Sequence, residues 1–353
     1  PLAFGAVTPR SIAFLEITSG ILLLVWLAKV LSQRIQLLRK RPIKQGKYRI
    51  HLVTTPFVGA IGLFFALLLL QLVPLPGPLL KIVSPAMYRV YAEGAVTLGS
   101  SVPGLLPLSV CTQATEGELY KFLAYAAVFF LIVNTMRTPQ QVNRLVYIMI
   151  AVGLFESLYG LIQFVSGRHQ IYSLRTSGWV HGTFMNKNHF AGYMEMVALI
   201  TFGLLFTRFE AYRSSSRQNS DHVPEEKYAK AFFLLSILFI MIAALLLSGS
   251  RGGMISFLLG MLCFVLLVHT RRLLRRWIVI VLIFLPIAVG IMVVTNLDLL
   301  GTRLRSLEQL ESDQSFRIRW ELWKSAGQIF QDFPVTGSGF GTFSHLSRRY
   351  KTF

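Results

Sequence analysis

Apolar runs of about twenty residues recur along the chain, and that is the length at which a helix crosses the hydrocarbon of a bilayer. In hydrocarbon the backbone has no water to bond, so runs of this length become helices. Eight spans are expected, near 11–31, 51–73, 119–136, 145–164, 190–207, 231–248, 254–270 and 277–295. Composition agrees: 54% of the 353 residues are hydrophobic and 14% are charged, against about 25% charged in a soluble domain. The mean hydropathy is +0.57. The expected fold class is therefore all-α: a polytopic integral membrane helical bundle over 1–295, with outer loops forming a cap. The stretch 296–353 is expected to begin a large outer loop. There is no fixed-period repeat, and RSSSRQNS at 213–220 reads as a polar loop. A start at Pro1 and an end at Phe353 in a polar region lead to the expectation of a longer chain.

Charge orients the bundle. The connections on one side, 32–50, 137–144, 208–230 and 271–276, hold 18 of the 35 Lys and Arg. The other side spreads fewer over many more residues. By the positive-inside rule the first set is cytoplasmic. The net charge of +19 then needs no nucleic acid, because orientation and anionic inner-leaflet lipid account for it. The long connections 74–118, 165–189 and 296 onward face outward, which suggests work done at the outer face. Cys111 in an outer loop and Cys263 in a span have neither metal-ligand nor redox spacing.

Arg251 sits in the five-residue outer turn GSRGG between spans six and seven. An interfacial arginine can simply snorkel into water. It can also grip a phosphate bidentately, with glycines freeing backbone amides and allowing close approach. Both readings stay open on the turn alone.

HGTFMNKNHFAGYMEM, 181–196, runs from an outer loop into span five and clusters Asn186, Lys187, Asn188 and His189 at the membrane entry. A helix start offers free N–H groups and a partial positive charge, so anions bind there. Asn188 equally suits an N-cap, and His189 alone suits an interfacial structural role. Glu195 follows within the span, and Glu156 lies near the middle of span four. Intramembrane carboxylates are costly and point to function; a hydrogen bond to a neighbouring helix is the alternative for each.

In the tail, Phe316, Trp320, Trp323, Gly327 and Phe330 follow helical spacing, which predicts an amphipathic helix able to lie on the membrane surface. Arg319 and Trp323 share a face and can stack. Arg317 and Arg319 are two apart and point in different directions. Pro334 ends the helix, and Gly337, Gly339 and Gly341 are expected to make a flexible turn. With no strand before it, this GxGxG is no dinucleotide fingerprint.

Taken together, GTFMNKNHFAGY at 182–193, SGSRGG at 248–253 and RWELW…FPVTGSGFGTF at 319–343, in that order, resemble the O-antigen ligase and O-antigen polymerase superfamily of bacterial membrane glycosyltransferases. PLAFGAVTP at the start and QLVPLPGPLLKIVSP at 71–85 are similar to it as well. The resemblance implies transfer of a glycan from undecaprenyl diphosphate to an acceptor hydroxyl, on lipid A core or on another glycan. It implies the periplasmic face of the inner membrane, with no cofactor, no nucleotide sugar and no metal. Arg251 and Arg319 take the family's arginine positions, as the groups that neutralise the leaving diphosphate. Asn186, Lys187, Asn188, His189, Glu195 and Arg317 are the accompanying candidates for substrate binding. The family's base is a histidine in a His-x-Asn-like motif of the large periplasmic loop. No such motif occurs here: His345 is followed by LSRRY. That histidine is expected beyond Phe353, and His189 and Glu195 are fallback bases. A flippase or exporter of lipid-linked glycan is a rival reading, although the paired broken helices of repeated halves are absent from the sequence. A non-catalytic scaffold of a polysaccharide assembly complex is a second rival.

Overall fold

The computed structural model describes residues 5, 7–38, 53, 55–167, 170–171, 174–175, 178–218, 225–269 and 314–350. The span expected near 277–295, the basic loop 271–276 and most of 32–50 lie outside the described residues. The described chain is all-α apart from two short two-stranded pairings. Helices α1 (Pro9–Leu38) and α2 (Phe57–Leu72) come first, followed by strand β1 (Pro74–Pro76). Helices α3 (Gly77–Val83) and α4 (Pro85–Thr97), strand β2 (Leu105–Pro107), and helices α5 (Thr112–Thr135) and α6 (Pro139–Val165) follow. Strands β3 (Gln170–Ile171) and β4 (Leu174–Arg175) precede α7 (Lys187–Gln218), α8 (Glu225–Leu247), α9 (Arg251–His269), α10 (Gln314–Asp332) and α11 (Phe343–Tyr350).

Among the described residues, four helical stretches are long and apolar enough to cross a membrane: Pro9–Gln33, Pro139–Val165, Lys187–Ala211 and Ala229–Leu247. Phe57–Leu72 and Arg251–Leu267 are apolar but shorter. The segment expected to cross near 119–136 belongs to a longer helix that begins at Thr112. Local signals explain the sharper ends. Before α6, Thr138 Oγ1 accepts from Gln141 N (3.3 Å) and Gln141 Oε1 accepts from Thr138 N (3.0 Å), a reciprocal capping box with Pro139 at the first helical position.

The chain divides into two compact units, Pro1–Ile12 with Met136–Leu304 and Ala13–Thr135 with Arg305–Phe353. In the first, α6, α7, α8 and α9 pack around Phe190, Met194, Val197, Met241 and Leu245, all fully buried. Lipid is as apolar as these side chains, so close helix approach has to come from small residues. A Cβ at Gly153 would lie 2.8 Å from Val197 and 2.9 Å from Met241, and one at Gly260 would lie 2.6 Å from Leu199. Ser157 Oγ and Thr201 Oγ1 bond back to Gly153 O (2.8 Å) and Val197 O (2.7 Å), so their hydroxyls are satisfied inside apolar packing.

In the second unit α2 packs on α5, with the rings of Phe64 and Phe122 5.0 Å apart, and Trp26 of α1 meets Phe130 edge-on at 4.9 Å. The stretch 74–118, expected as a loop, is folded. Strands β1 and β2 pair antiparallel with Leu75 opposite Leu106. Their prolines confine them to a short two-stranded ribbon, since proline cannot donate to a ladder. Leu80, Met87, Leu106 and Leu108 form a core that Ile329, Phe333 and Leu346 of the tail complete.

Candidate functional site

The site in the first unit grows from a helix junction. After α8 the chain turns through Ser248, Gly249 and Ser250 and starts α9 at Arg251. Gly249 has φ +61° and lies against the Trp179 ring, where a Cβ would come within 2.5 Å. Ser250 is the N-cap of α9: its Oγ accepts from Gly253 N (3.3 Å). The same hydroxyl donates to Asn188 Oδ1 at 2.9 Å. This bond joins two stretches 62 residues apart, the membrane entry of α7 and the arginine turn.

The entry of α7 is capped by Asn186, not by Asn188 as the sequence allowed. Asn186 Oδ1 accepts from Asn188 N (2.8 Å), while Asn186 O accepts from His189 N (3.0 Å) and Phe190 N (3.1 Å). Asn188 is left to reach Ser250, because its side chain lies one residue inside the helix. Lys187 does not extend alone into solvent. Its Nζ donates to Gly249 O (3.3 Å) and lies 4.2 Å over the Trp179 ring, which stabilises the cation by about 0.5–2 kcal/mol. Asn186, Asn188, His189 and Arg251 are exposed and Lys187 is half-buried. The three glycines around Arg251 do different work. Gly249 supplies the turn. Gly253 allows α9 to meet α7, since a Cβ there would lie 2.6 Å from Ala191. Gly252 faces open space. Two helix starts, each with a partial positive charge, therefore sit together beside an exposed guanidinium, an arrangement suited to a phosphate.

Of the two intramembrane carboxylates, Glu195 takes the helix-to-helix alternative, whereas Glu156 bonds to the turn that precedes α7. Ser256 Oγ of α9 donates to Glu195 Oε2 of α7. Glu156 of α6 is fully buried and accepts from Thr183 N (2.8 Å) and Thr183 Oγ1 (2.7 Å). Among the described residues no group of three or more His, Cys, Asp or Glu could hold a metal ion.

The second unit carries the other arginines. Arg317 and Arg319 are exposed on α10. The aromatic stripe expected there is the exposed face: Trp320, Trp323 and Phe330 lie open, while Ser325 and Ile329 are buried. The cation over an indole is Lys324, 5.8 Å from the Trp320 ring, and Trp323 meets Trp320 edge-on at 6.4 Å. The glycine turn, expected to be flexible, is tied by hydrogen bonds to residues distant in sequence. Gly337, Gly339 and Gly341 have φ of +67°, +103° and +79°, and Gln71 of α2 clamps the turn from both ends. Gln71 Nε2 donates to Thr336 O (2.8 Å), and Gln71 Oε1 accepts from Phe340 N (2.9 Å). Val110 N donates to Ser338 O (3.0 Å), and Thr115 Oγ1 donates to Phe340 O (3.0 Å). Glycine is required because a side chain at Gly339 would meet Ser109, and one at Gly341 would come 2.6 Å from Glu118 Cγ. Beyond the turn, His345 is exposed on α11 with Ser344 Oγ 3.4 Å from its Nδ1. At the end of α11, Tyr350 donates to Asp332 at 2.5 Å; burial first, and then this bond, push its phenol up to about 12.

Ser250, Trp179 and Gln71 were missed from the sequence. A serine three residues before Gly253 at a helix start, and a lone amide near the end of the apolar helix FVGAIGLFFALLLLQL, were usable signals for two of them. Trp179 had none.

A family model described as O-antigen ligase matches residues 236–353. The match contains the Arg251 turn, α10 and the glycine turn; the 181–196 stretch lies before it. No curated protein and no solved structure matches the chain.

Proposed function

From the match of residues 236–353 to the O-antigen ligase family model, we propose that this membrane protein transfers a glycan from undecaprenyl diphosphate to an acceptor hydroxyl. The acceptor is lipid A core or another glycan, and the reaction runs at the periplasmic face of the bacterial inner membrane. The observation that carries the proposal is the bond from Ser250 Oγ to Asn188 Oδ1 (2.9 Å), which brings the polar entry of α7 beside the helix start that bears Arg251.

In the reaction the acceptor oxygen bonds to the anomeric carbon as the bond from that carbon to the phosphate oxygen breaks. The hydroxyl proton passes to a base, and the lipid diphosphate leaves with its negative charge. The glycan arrives activated as a diphosphate ester, so neither a nucleotide nor a metal is assigned a part. Arg251 and the two helix starts stabilise charge on the leaving group. Asn188 spends its carbonyl oxygen on Ser250 and keeps its NH2 to donate to substrate, beside Asn186. Lys187 adds a positive field from its place over Trp179. Of the two fallback bases, His189 is the stronger, because it is exposed on the first turn of α7 while Glu195 accepts from Ser256. Arg319, by the family resemblance, is assigned a second phosphate-facing role, with Arg317 beside it in sequence.

The test is transfer in proteoliposomes holding an undecaprenyl-diphosphate oligosaccharide and either acceptor, with wild type beside Arg251→Ala, Arg251→Lys and Arg319→Ala. Arg251→Lys is expected to insert normally yet lose about a hundredfold in rate, because Lys cannot form the fork. Near-normal transfer by Arg251→Lys sinks the phosphate grip. No product from wild type, with movement of the lipid-linked glycan between leaflets, replaces the transferase with a flippase.

A further inference from the structure

Glu156 lies in the interior of α6, fully buried, in a span rich in apolar residues. A carboxyl group there is costly unless its oxygens are bonded. Both are bonded, and to one residue: Oε2 accepts from Thr183 N (2.8 Å) and Oε1 from Thr183 Oγ1 (2.7 Å). The chain around Thr183 is shaped for this contact. Gly182 has φ +55°, and a Cβ there would collide with Glu156 Oε2. One turn along α6, a Cβ at Gly160 would lie 2.9 Å from Gly182 N. The face of α6 that carries Glu156 and Gly160 is thus a slot that receives residues 182–183. Three residues later Asn186 caps α7, and Asn188 and Lys187 dock on Ser250 and Gly249.

We propose that Glu156 is a positioning residue: by holding Thr183 at two points it sets where the start of α7 meets the arginine turn. It does not touch substrate, since it has no exposed surface. It supports residues that do, as a buried supporting shell holds a site to within fractions of an ångström. In naming a supporting residue for the transfer site, the inference rests on the function proposed above. Its geometric content does not.

The chemistry separates this role from proton transfer. In Glu156→Gln the amide oxygen can accept from Thr183 N–H while its NH2 donates to Thr183 Oγ1, because a hydroxyl can exchange donor for acceptor. The two-point hold survives, and the carboxylate base does not. Glu156→Ala removes both bonds, and Thr183→Ala removes one.

The experiment replaces Cys111 and Cys263 by Ser, introduces Asn188→Cys and Ser250→Cys, and follows disulfide formation under copper-phenanthroline by loss of maleimide-PEG labelling. Glu156→Gln is expected to cross-link within twofold of the parent. Glu156→Ala should be at least tenfold slower and Thr183→Ala severalfold slower; the latter serves if Glu156→Ala does not insert. Parental rates in both alanine variants overturn the inference, and so does Glu156→Gln as slow as Glu156→Ala. In the transfer assay, with native residues at 188 and 250, Glu156→Gln should stay within a few fold of wild type and Glu156→Ala should lose mainly kcat. Loss of transfer in Glu156→Gln with cross-linking intact makes Glu156 a proton carrier and also overturns it. Cross-linking requires no turnover, so a wild type without transfer activity removes the proposed function while the positional inference is still decided.

Discussion

Replacing Gln71 by Leu gives the most direct measure of how the glycine turn is held. The substitution keeps the volume of a side chain that is only 5% exposed and deletes both arms of its clamp. Phe340 N–H and Thr336 C=O lose their bonds to Gln71 (2.9 and 2.8 Å). A donor or acceptor left unpaired in a buried site costs about 1–3 kcal/mol. Two such groups, partly relieved by small movements of the turn, should favour its opening by about 2–4 kcal/mol. At 1.4 kcal/mol per decade this is a rise of about 30- to 700-fold in the open population. Amide hydrogen exchange reports that population residue by residue. In lipid nanodiscs, amides across 338–342 in Gln71→Leu should exchange faster by that factor, while amides in the middle of α7, in the other unit, keep their rates. The Val110 and Thr115 bonds to the turn remain in the variant, so the effect should be local. Unchanged exchange over 338–342 would refute the reasoning, because it would mean that packing alone fixes the three left-handed glycines.

Two further outcomes follow from the geometry. Gly253→Ala should destabilise the protein by about 1–3 kcal/mol through overpacking against Ala191, whereas Gly252→Ala, which faces open space, should be neutral or stabilising by up to about 1 kcal/mol. Thermal unfolding of both variants in the same detergent checks this, and equal losses would count against the close approach of α9 to α7. Tyr350, raised from 10.0 to about 12 by burial and by its bond to Asp332, stabilises the fold in its protonated form. That contribution is complete below pH 10 and is lost as pH rises through 12. The tyrosinate absorbance difference between wild type and Tyr350→Phe should therefore appear near pH 12; a step near pH 10 would remove the half-buried, hydrogen-bonded phenol.

Much of the site was legible, but as parts. The polar cluster 186–189 and the turn 248–253 stood out because polar residues at a membrane entry contrast with apolar surroundings. That Asn186 caps the helix and Asn188 reaches across was not legible, since either asparagine satisfies the capping pattern. The stripe of Trp320, Trp323 and Phe330 was read from its spacing, yet spacing does not say which face of α10 is buried. Ser325 and Ile329 take that role because they pack with α11 and the loop core. The turn at 337–341 looked flexible because glycine permits any conformation. It is held because Gln71, 269 residues before Phe340, bonds both of its ends.

By itself the sequence determined that this is an all-α membrane protein and where most of its helices run. Apolar segments of bilayer length have one way to satisfy their backbone, and caps and prolines mark their ends locally. Only the tertiary structure decided the pairings that make the site: Thr183 with Glu156, 27 residues apart, and Ser250 with Asn188, 62 apart. Such contacts follow from how helices pack. Packing is set by small residues and side-chain shape across neighbouring helices, and no period along the chain encodes it.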